Sequence, residues 1–236
     1  MIEFVTVSHQ PWRIGPLEKS LQAAMGPSRW PGPKKWRLTV IDGTSNDIFN
    51  GYNKAAASTT GDILAFMHHD IQVLANAVAF ERPLRLLEEP ATGLIGIAGA
   101  TRLNAQGCWW GDLPLQEVMS HCRGIVAYPD ENPMGMTYTT WPGGQGLFGQ
   151  VVVVDGVFLM CHRRTLDSLG GFDSKTFKGF HFYDIDISFR AHLRGLKNYV
   201  APLPLIHESR GNYDDAWESA RKLFVDKFSG QLPCRI

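Results

Sequence analysis

The chain has 236 residues, with 23 basic and 23 acidic side chains, 44% hydrophobic and 19% charged. That is the composition of a globular protein with enough chain to bury a core without disulfide staples. A formal net charge of zero and a pI near 7.1 leave no basic footprint for nucleic acid, and no charged tail is present. No run approaches the roughly 18 apolar residues of a membrane span. The opening MIEFVTVSHQ lacks the basic n-region and long apolar stretch of a secretory signal. Cys108, Cys122, Cys161 and Cys234 are widely spaced and form no C-x-x-C pair. They read as reduced thiols, which agrees with a cytoplasmic address.

Taken in chain order, Phe4 to Val7 reads as a buried strand, and Ile14, Leu17, Leu21 and Ala24 place a helix after it. Pro27, Pro31 and Pro33 close that helix in a loop. Trp36 to Ile41 is a second strand, ended by Asp42-Gly43, and Ile48 to Ser58 a second helix with Ile48, Tyr52 and Ala55 on one face. Ile63 to Met67 is a third strand running into His68-His69-Asp70. This alternation predicts an α/β fold with a mostly parallel central sheet flanked by helices, which binds ligands at the carboxyl ends of its strands. Those ends carry His9, Asp42 and His68 to Asp70.

Leu94 to Ala98 reads as a strand. Residues 101–150, rich in Gly, Pro and Trp, read as a functional insertion over the site. Val151 to Val154 and Val157 to Met160 are strands around a turn at Asp155-Gly156. Thr165 to Leu169 is a short helix stopped by Gly170-Gly171. Asp184 to Arg194 is a helix with Ile185, Phe189 and Leu193 in a stripe and Gly195 as its cap. Asn198 to Ala201 is a strand, and Asp214 to Phe228 an amphipathic helix with Trp217, Ala220, Phe224 and Phe228 on one side. With no repeat, low-complexity tract or linker, residues 1–236 are expected to form a single domain.

Several short motifs have both a chemical and a structural reading. Gly144, Gly146 and Gly149 match G-x-G-x-x-G, but a Trp-Pro-Gly loop precedes them and a Val-rich strand follows. A dinucleotide site needs the opposite context, so a flexible loop near the site is expected instead. His68-x-Asp70 at a strand end suits a divalent cation, and imidazole favours Mn²⁺ over Mg²⁺. Structural hydrogen bonding is the alternative. Tyr183-Asp184-Ile185-Asp186 opens a helix, where free N–H groups stabilise carboxylates. One of the two, facing a cleft, could also act as a general base, ionised at neutral pH if its pKa is ordinary. His207 in LIHES gains a role if it folds back onto His68 and Asp70, giving a three-ligand site.

Together these pieces resemble the GT-A glycosyltransferases of the family-2-like branch. FVTVSH resembles the first nucleotide-binding strand, and VIDGTSND the V-D-D-G-S segment. YNKAAASTTGDILAFMHHD resembles N-x-G-x-x-x-A-x-G-x-x-x-x-F-L-D-x-D. VVDGVFLMCHRRTLDSLGGFDSKTF and YDIDISFRAHLRG resemble the D-G…R-R…G-G-F-D-E and E-D-x-D-L-x-x-R segments. The ordered set covers most of the chain except its middle.

The resemblance implies a nucleotide-diphosphate-sugar donor, a divalent cation, and a sugar, lipid-linked or small-molecule acceptor. It implies His9, Asp42, Asn53, Lys54 and Asp155 around the donor, and His68, Asp70 and His207 on the metal. Asp184 would be the base of an inverting transfer. Trp109, Trp110, His181 and Tyr183 are candidates for the acceptor side, since rings cover the flat faces of sugars; plain packing is the other reading of the Trp pair. Residues to about 100 would form the nucleotide-binding half and the rest the acceptor and catalytic half. His68 and Tyr183 replace an Asp and a Glu of the family pattern. The first change resembles a smaller His-x-Asp subfamily that includes streptomycin-cluster glycosyltransferase-like proteins. The alternative is a nucleotide-sugar-binding or partner-binding protein on the same scaffold. A nucleotidyltransferase would want a Gly-rich basic loop after the first strand, which SHQPWRIGP is not.

Overall fold

A computed structural model describes residues 1–26, 35–110, 113–132, 135–142 and 146–236, with backbone alone over 130–132 and 135–142. The first half runs β1 (Ile2–Ser8), α1 (Ile14–Met25), β2 (Trp36–Asp42), α2 (Ile48–Ser58), β3 (Ile63–Met67), β4 (Ile71–Val73), α3 (Ala77–Glu88), β5 (Thr92–Gly96), β6 (Ala98–Ala100) and β7 (Arg102–Leu103). The second runs α4 (Leu115–His121), β8 (Cys122–Asn132), β9 (Gly135–Pro142), β10 (Gly149–Val151), β11 (Val153–Val154), β12 (Phe158–His162), α5 (Arg163–Leu169), α6 (Tyr183–Leu193), β13 (Lys197–Val200), β14 (Leu205–His207), α7 (Asp215–Lys227) and β15 (Cys234–Arg235).

Seven strands form the central sheet in the order β10-β13-β5-β12-β3-β1-β2. β1 pairs in parallel with β2 and β3, and β13 with β5, whereas β12 and β10 run against their neighbours. The sheet is therefore mixed, with five of its seven strands in one direction. β3 is buried along its whole length, as a strand covered on both faces must be. α1 turns Leu17, Leu21 and Ala24 inward, and α2 turns Ile48, Tyr52 and Ala55 inward. Asp47 caps α2 by accepting from Asn50 N at 2.8 Å. Gly170 ends α5 with φ +76°, the left-handed turn that favours glycine.

A second sheet runs β11-β6-β8-β14-β4, with β9 on β8. Its key pairing is antiparallel β14 on β4, with His207 opposite Ile71. β12 lies antiparallel to β3, with Phe158 opposite Met67. His68 N donates to Val157 O at 3.1 Å, so the Asp155-Gly156 turn sits beside the end of β3.

The expected elements of the first 70 residues are present, while Pro27, Pro31 and Pro33 lie outside the described residues. Two expectations need correction. The strand expected over 94–98 breaks at Ile97 into β5 and β6, which join different sheets. The 101–150 segment, expected as an insertion over the site, holds α4 and the β8–β9 hairpin, with β8 pairing to β6 and β14. Leu193 is exposed, so the buried stripe of α6 stops at Phe189. Several of the short elements were not expected from the sequence, among them β4 and α3. β4 is three residues long, and α3 carries Pro83 in its interior, where proline removes a helix bond. Among the described residues no helix is long and apolar enough to cross a membrane.

One buried amide ties the layers together. Asn198 on β13 is fully buried; its Oδ1 accepts from Leu94 N at 3.0 Å, and its Nδ2 donates to Val152 O at 2.8 Å and Ser188 O at 2.7 Å. Asn198→Ala removes three buried hydrogen bonds; Ser188 O keeps its partner within α6, but Leu94 N and Val152 O lose the amide, at roughly 1–3 kcal/mol for each group left unanswered. We expect a loss of about 3 kcal/mol or more in urea denaturation; a loss below about 1 kcal/mol would show that the network is dispensable.

Candidate functional site

A cavity of about 630 Å³ opens where β1, β2 and β3 end, within the size range of small-molecule sites. Parallel register sets Ser8 beside Asp42, and Gly43 N donates to Ser8 O at 2.9 Å. His9, His68, Asp70, Asp155, Asp184 and His207 all line the cavity.

His68 and Asp70 follow β3, and the β14–β4 pairing returns His207 to them, with Glu208 N donating to Asp70 O at 2.9 Å. His68 Nδ1 lies 3.1 Å from His207 Nε2, and Asp70 Oδ1 lies 3.4 Å from His207 Nε2 and 3.9 Å from His68 Nδ1. One ligand atom from each of the three falls within 4.8 Å of the others. Neighbouring ligands about 2.1 Å from an ion stand about 3.0–3.5 Å apart, so two spacings fit as they are and the third needs a small closure.

Electrostatics fit the same group. Burial pushes the His68 pKa down to about 3, helped by His207, so its imidazole is neutral as a ligand must be. For Asp70, burial pushes the pKa up, but hydrogen bonds from His207 and Ser209 outweigh it and hold the carboxyl well below the usual range. One feature opposes metal binding. His207 Nδ1 is buried without a partner, and freeing Nε2 for a metal moves a proton onto it. An unanswered buried N–H costs about 1–3 kcal/mol, which weakens such a site without preventing it. The three residues fit a divalent cation.

Asp184 sits on the first turn of α6, on the other side of Gly156. Its Oδ2 accepts from Gly156 N at 2.7 Å. Burial raises its pKa to about 7, and the charge of Asp155 adds to this. Asp184 therefore does not meet the condition of an ordinary pKa under which it would be fully ionised at neutral pH. Burial raises Asp155 as well, although its Oδ1 accepts from Val157 N at 2.9 Å. Phe182, the residue before α6, has φ +66°, an unfavourable backbone for a bulky side chain. Its ring packs on Trp217 and Phe224 at 5.6 and 5.3 Å, which holds the turn that presents Tyr183 and Asp184.

Tyr183 differs from the role expected of it. Its ring is 3% exposed, packed edge-on against Phe49 and Tyr52, and its hydroxyl meets His68 Nε2 at 2.9 Å and Gly156 O at 2.8 Å. A ring so enclosed offers no face to a sugar. A Cβ on Gly156 would lie 2.1 Å from the phenol oxygen, so the turn needs glycine there. Trp109 and Trp110 line the cavity, but Trp109 is 3% exposed, leaving Trp110 as the more open ring. His181 lines the cavity too, with Nε2 3.4 Å from Asp214 Oδ1.

Three of the residues implied around a donor do not line the cavity. Asp42 spends its carboxylate on its own turn, accepting from Thr44 N at 2.9 Å, Thr44 Oγ1 at 2.7 Å and Ser45 Oγ at 3.0 Å. Asn53 clamps Phe172 through both backbone groups, at 2.8 and 2.9 Å, and Lys54 is exposed. The described part of the glycine motif, 146–149, also lies off the cavity, and Gly144 lies outside the described residues. Sequence reasoning missed Arg13, Tyr128, Phe180 and Tyr213, which all line it. Phe180 is 50% exposed with its ring 5.2 Å from His68, and Tyr213 sits 5.4 Å from Trp110. All but Arg13 lie outside the strand ends that the alternating pattern marks.

Solved structures share this architecture. GalNAc-T7, in a crystal structure with UDP, GalNAc and Mn²⁺, matches 97% of this chain and 50% of its own, at 12% identity and a TM-score of 0.60. The mannosyltransferase PcManGT from Pyrobaculum calidifontis, in complex with GDP-Man and Mn²⁺, matches 98% of this chain and 64% of its own, at 12% identity and a TM-score of 0.54. The chain thus spans only half to two thirds of these proteins, and identity this low speaks to the GT-A fold alone. No curated protein matches the sequence. The profile of the glycosyltransferase-like family matches residues 29–228, nearly the whole chain, and the protein belongs to that family.

Proposed function

We propose that this protein transfers a sugar from a nucleotide-diphosphate-sugar donor to an acceptor hydroxyl, with a divalent cation at His68, Asp70 and His207 and inversion at the anomeric carbon. The observation that carries the reading is the convergence of two imidazoles and a carboxylate beside Asp184 in one cavity. The UDP and GDP-Man ligands of the two solved relatives, each with Mn²⁺, support the donor class and favour Mn²⁺ over Mg²⁺. A divalent cation held there would neutralise charge developing on the departing diphosphate.

The chain's own residues supply the rest. Asp184 accepts the proton of the attacking hydroxyl on its Oδ1, while Gly156 N fixes Oδ2. Arg13 and His9 add donors at the end of β1. Trp110, Phe180 and Tyr213 give the acceptor side apolar faces and replace Tyr183 in that role. Residues to about 100 hold the nucleotide and those from about 101 carry the catalytic base and the acceptor side, although His207 makes the metal site common to both halves. The His-x-Asp pattern favours the streptomycin-cluster-like subgroup, and the acceptor a polysaccharide, lipid-linked or small-molecule hydroxyl in the cytoplasm.

Nucleoside diphosphate release from a panel of UDP-, GDP- and dTDP-sugars tests the reading, and no release from any would favour a binding protein on the same scaffold. Asp184→Asn should cut transfer by about 10²–10⁴-fold with little change in donor affinity, and a fully active variant would remove Asp184 as the base. The pH dependence follows from its raised pKa. A base must be ionised, so kcat/KM should fall with acidification through a limb near pH 7. A profile flat from pH 5 to 8, in the range where ordinary carboxylates are already ionised, would contradict this assignment.

A further inference from the structure

Resting on the metal-site reading above, we infer that Tyr183 is a positioning residue for His68. It accepts a hydrogen bond from His68 Nε2–H and so fixes the tautomer whose Nδ1 lone pair faces Asp70 and His207. The metal-binding atom of His68 is then Nδ1.

The number of protons available to these groups fixes the tautomer. A tyrosine hydroxyl carries one proton and accepts through its lone pairs. Tyr183 Oη lies 2.8 Å from Gly156 O, which can only accept. Two oxygens that close need a proton between them, and a carbonyl has none, so the phenol donates to Gly156. Its contact with His68 Nε2 at 2.9 Å must therefore be filled by a proton on the imidazole. A neutral imidazole has one N–H, so Nδ1 is left with its lone pair, 3.1 Å from His207 Nε2 and 3.9 Å from Asp70 Oδ1. The neighbouring Tyr52 hydroxyl reaches both Met67 O, at 3.2 Å, and the Tyr183 hydroxyl; with the Tyr183 proton committed to Gly156 O, a bond between the two phenols is one that Tyr183 accepts, and the His68 contact still needs the imidazole proton.

Packing makes Tyr183 a rigid anchor. Its ring is buried beside Phe49, Tyr52 and Phe172, at centroid distances of 6.2, 5.6 and 6.2 Å. Its oxygen rests on Gly156, where a Cβ would lie 2.1 Å away. A phenylalanine at 183 keeps this packing and removes only the oxygen. A ligand imidazole whose second nitrogen is hydrogen-bonded is held in orientation and tautomer, and losing such a partner typically costs about 10–100-fold in metal affinity.

Long-range ¹H–¹⁵N NMR of the imidazoles in the whole, metal-free chain tests the inference directly, with His68→Ala used to assign the His68 signals. His68 should be the Nε2–H tautomer in the wild type and lose that preference in Tyr183→Phe. An Nδ1–H wild type, or a tautomer unchanged in Tyr183→Phe, would overturn it. Mn²⁺ titration, with free ion followed by electron paramagnetic resonance, separates this from the metal reading. Binding weakened about 10-fold or more in Tyr183→Phe and lost in His68→Ala supports both. Loss in His68→Ala with wild-type affinity in Tyr183→Phe keeps the metal site and overturns the positioning role. A wild type that binds no Mn²⁺ overturns the metal reading and Nδ1 as a ligand, while the spectra still decide whether Tyr183 sets the tautomer.

Discussion

The antiparallel pairing of β14 on β4 is three residues long, yet the candidate site depends on it. Without it His207 would lie well over a hundred residues along the chain from Asp70 with nothing to bring them together. Pairing His207 with Ile71 sets the imidazole over the turn that follows β3, and Glu208 N bonds to Asp70 O to fix the approach. The register of β12 on β3 does the same for the Asp155-Gly156 turn. Backbone pairing thus sets the spacing of the candidate ligands, and side-chain hydrogen bonds refine it.

Those hydrogen bonds form one connected path. Asp70 meets His207, His207 meets His68, His68 meets Tyr183, and Tyr183 meets the carbonyl of Gly156, whose own N–H holds Asp184. The candidate metal ligands and the candidate base are therefore anchored to the same residue. Buried polar groups joined this way hold each other in orientation, and an unpartnered member is costly. The exception here, Nδ1 of His207, identifies where the site is least satisfied. Asp184, kept close to the midpoint of its titration by burial and by Asp155, suits proton acceptance better than a fully solvated carboxylate would.

Much of this was legible in the sequence because the physical signals were local. Short apolar runs marked β1, β2 and β3, although β2 is only half-buried, and helical spacing marked α1, α2 and α7. The polar residues at strand ends pointed to the cavity, and His207 was named as conditional on folding back, which β14 supplies. What was missed depends on tertiary contacts. Asp42 ends its strand where expected, but its turn residues Thr44 and Ser45 occupy its carboxylate. Asn53 is taken up by Phe172, 119 positions away. Phe180 and Tyr213 come from irregular segments with no period to mark them. Most instructive are the two departures from the family pattern, His68 and Tyr183. Read along the chain they are separate oddities, but in space they are hydrogen-bonded to each other.

The central claim is that the cavity holds a nucleoside diphosphate through a divalent cation. Calorimetric titration of the protein with UDP, GDP and dTDP, each with and without Mn²⁺, tests it most directly. The account predicts that at least one nucleotide binds and that its binding depends on Mn²⁺. Folded protein that binds none of the three, or binds one equally well without the ion, would contradict the account and return His68, Asp70 and His207 to a structural role.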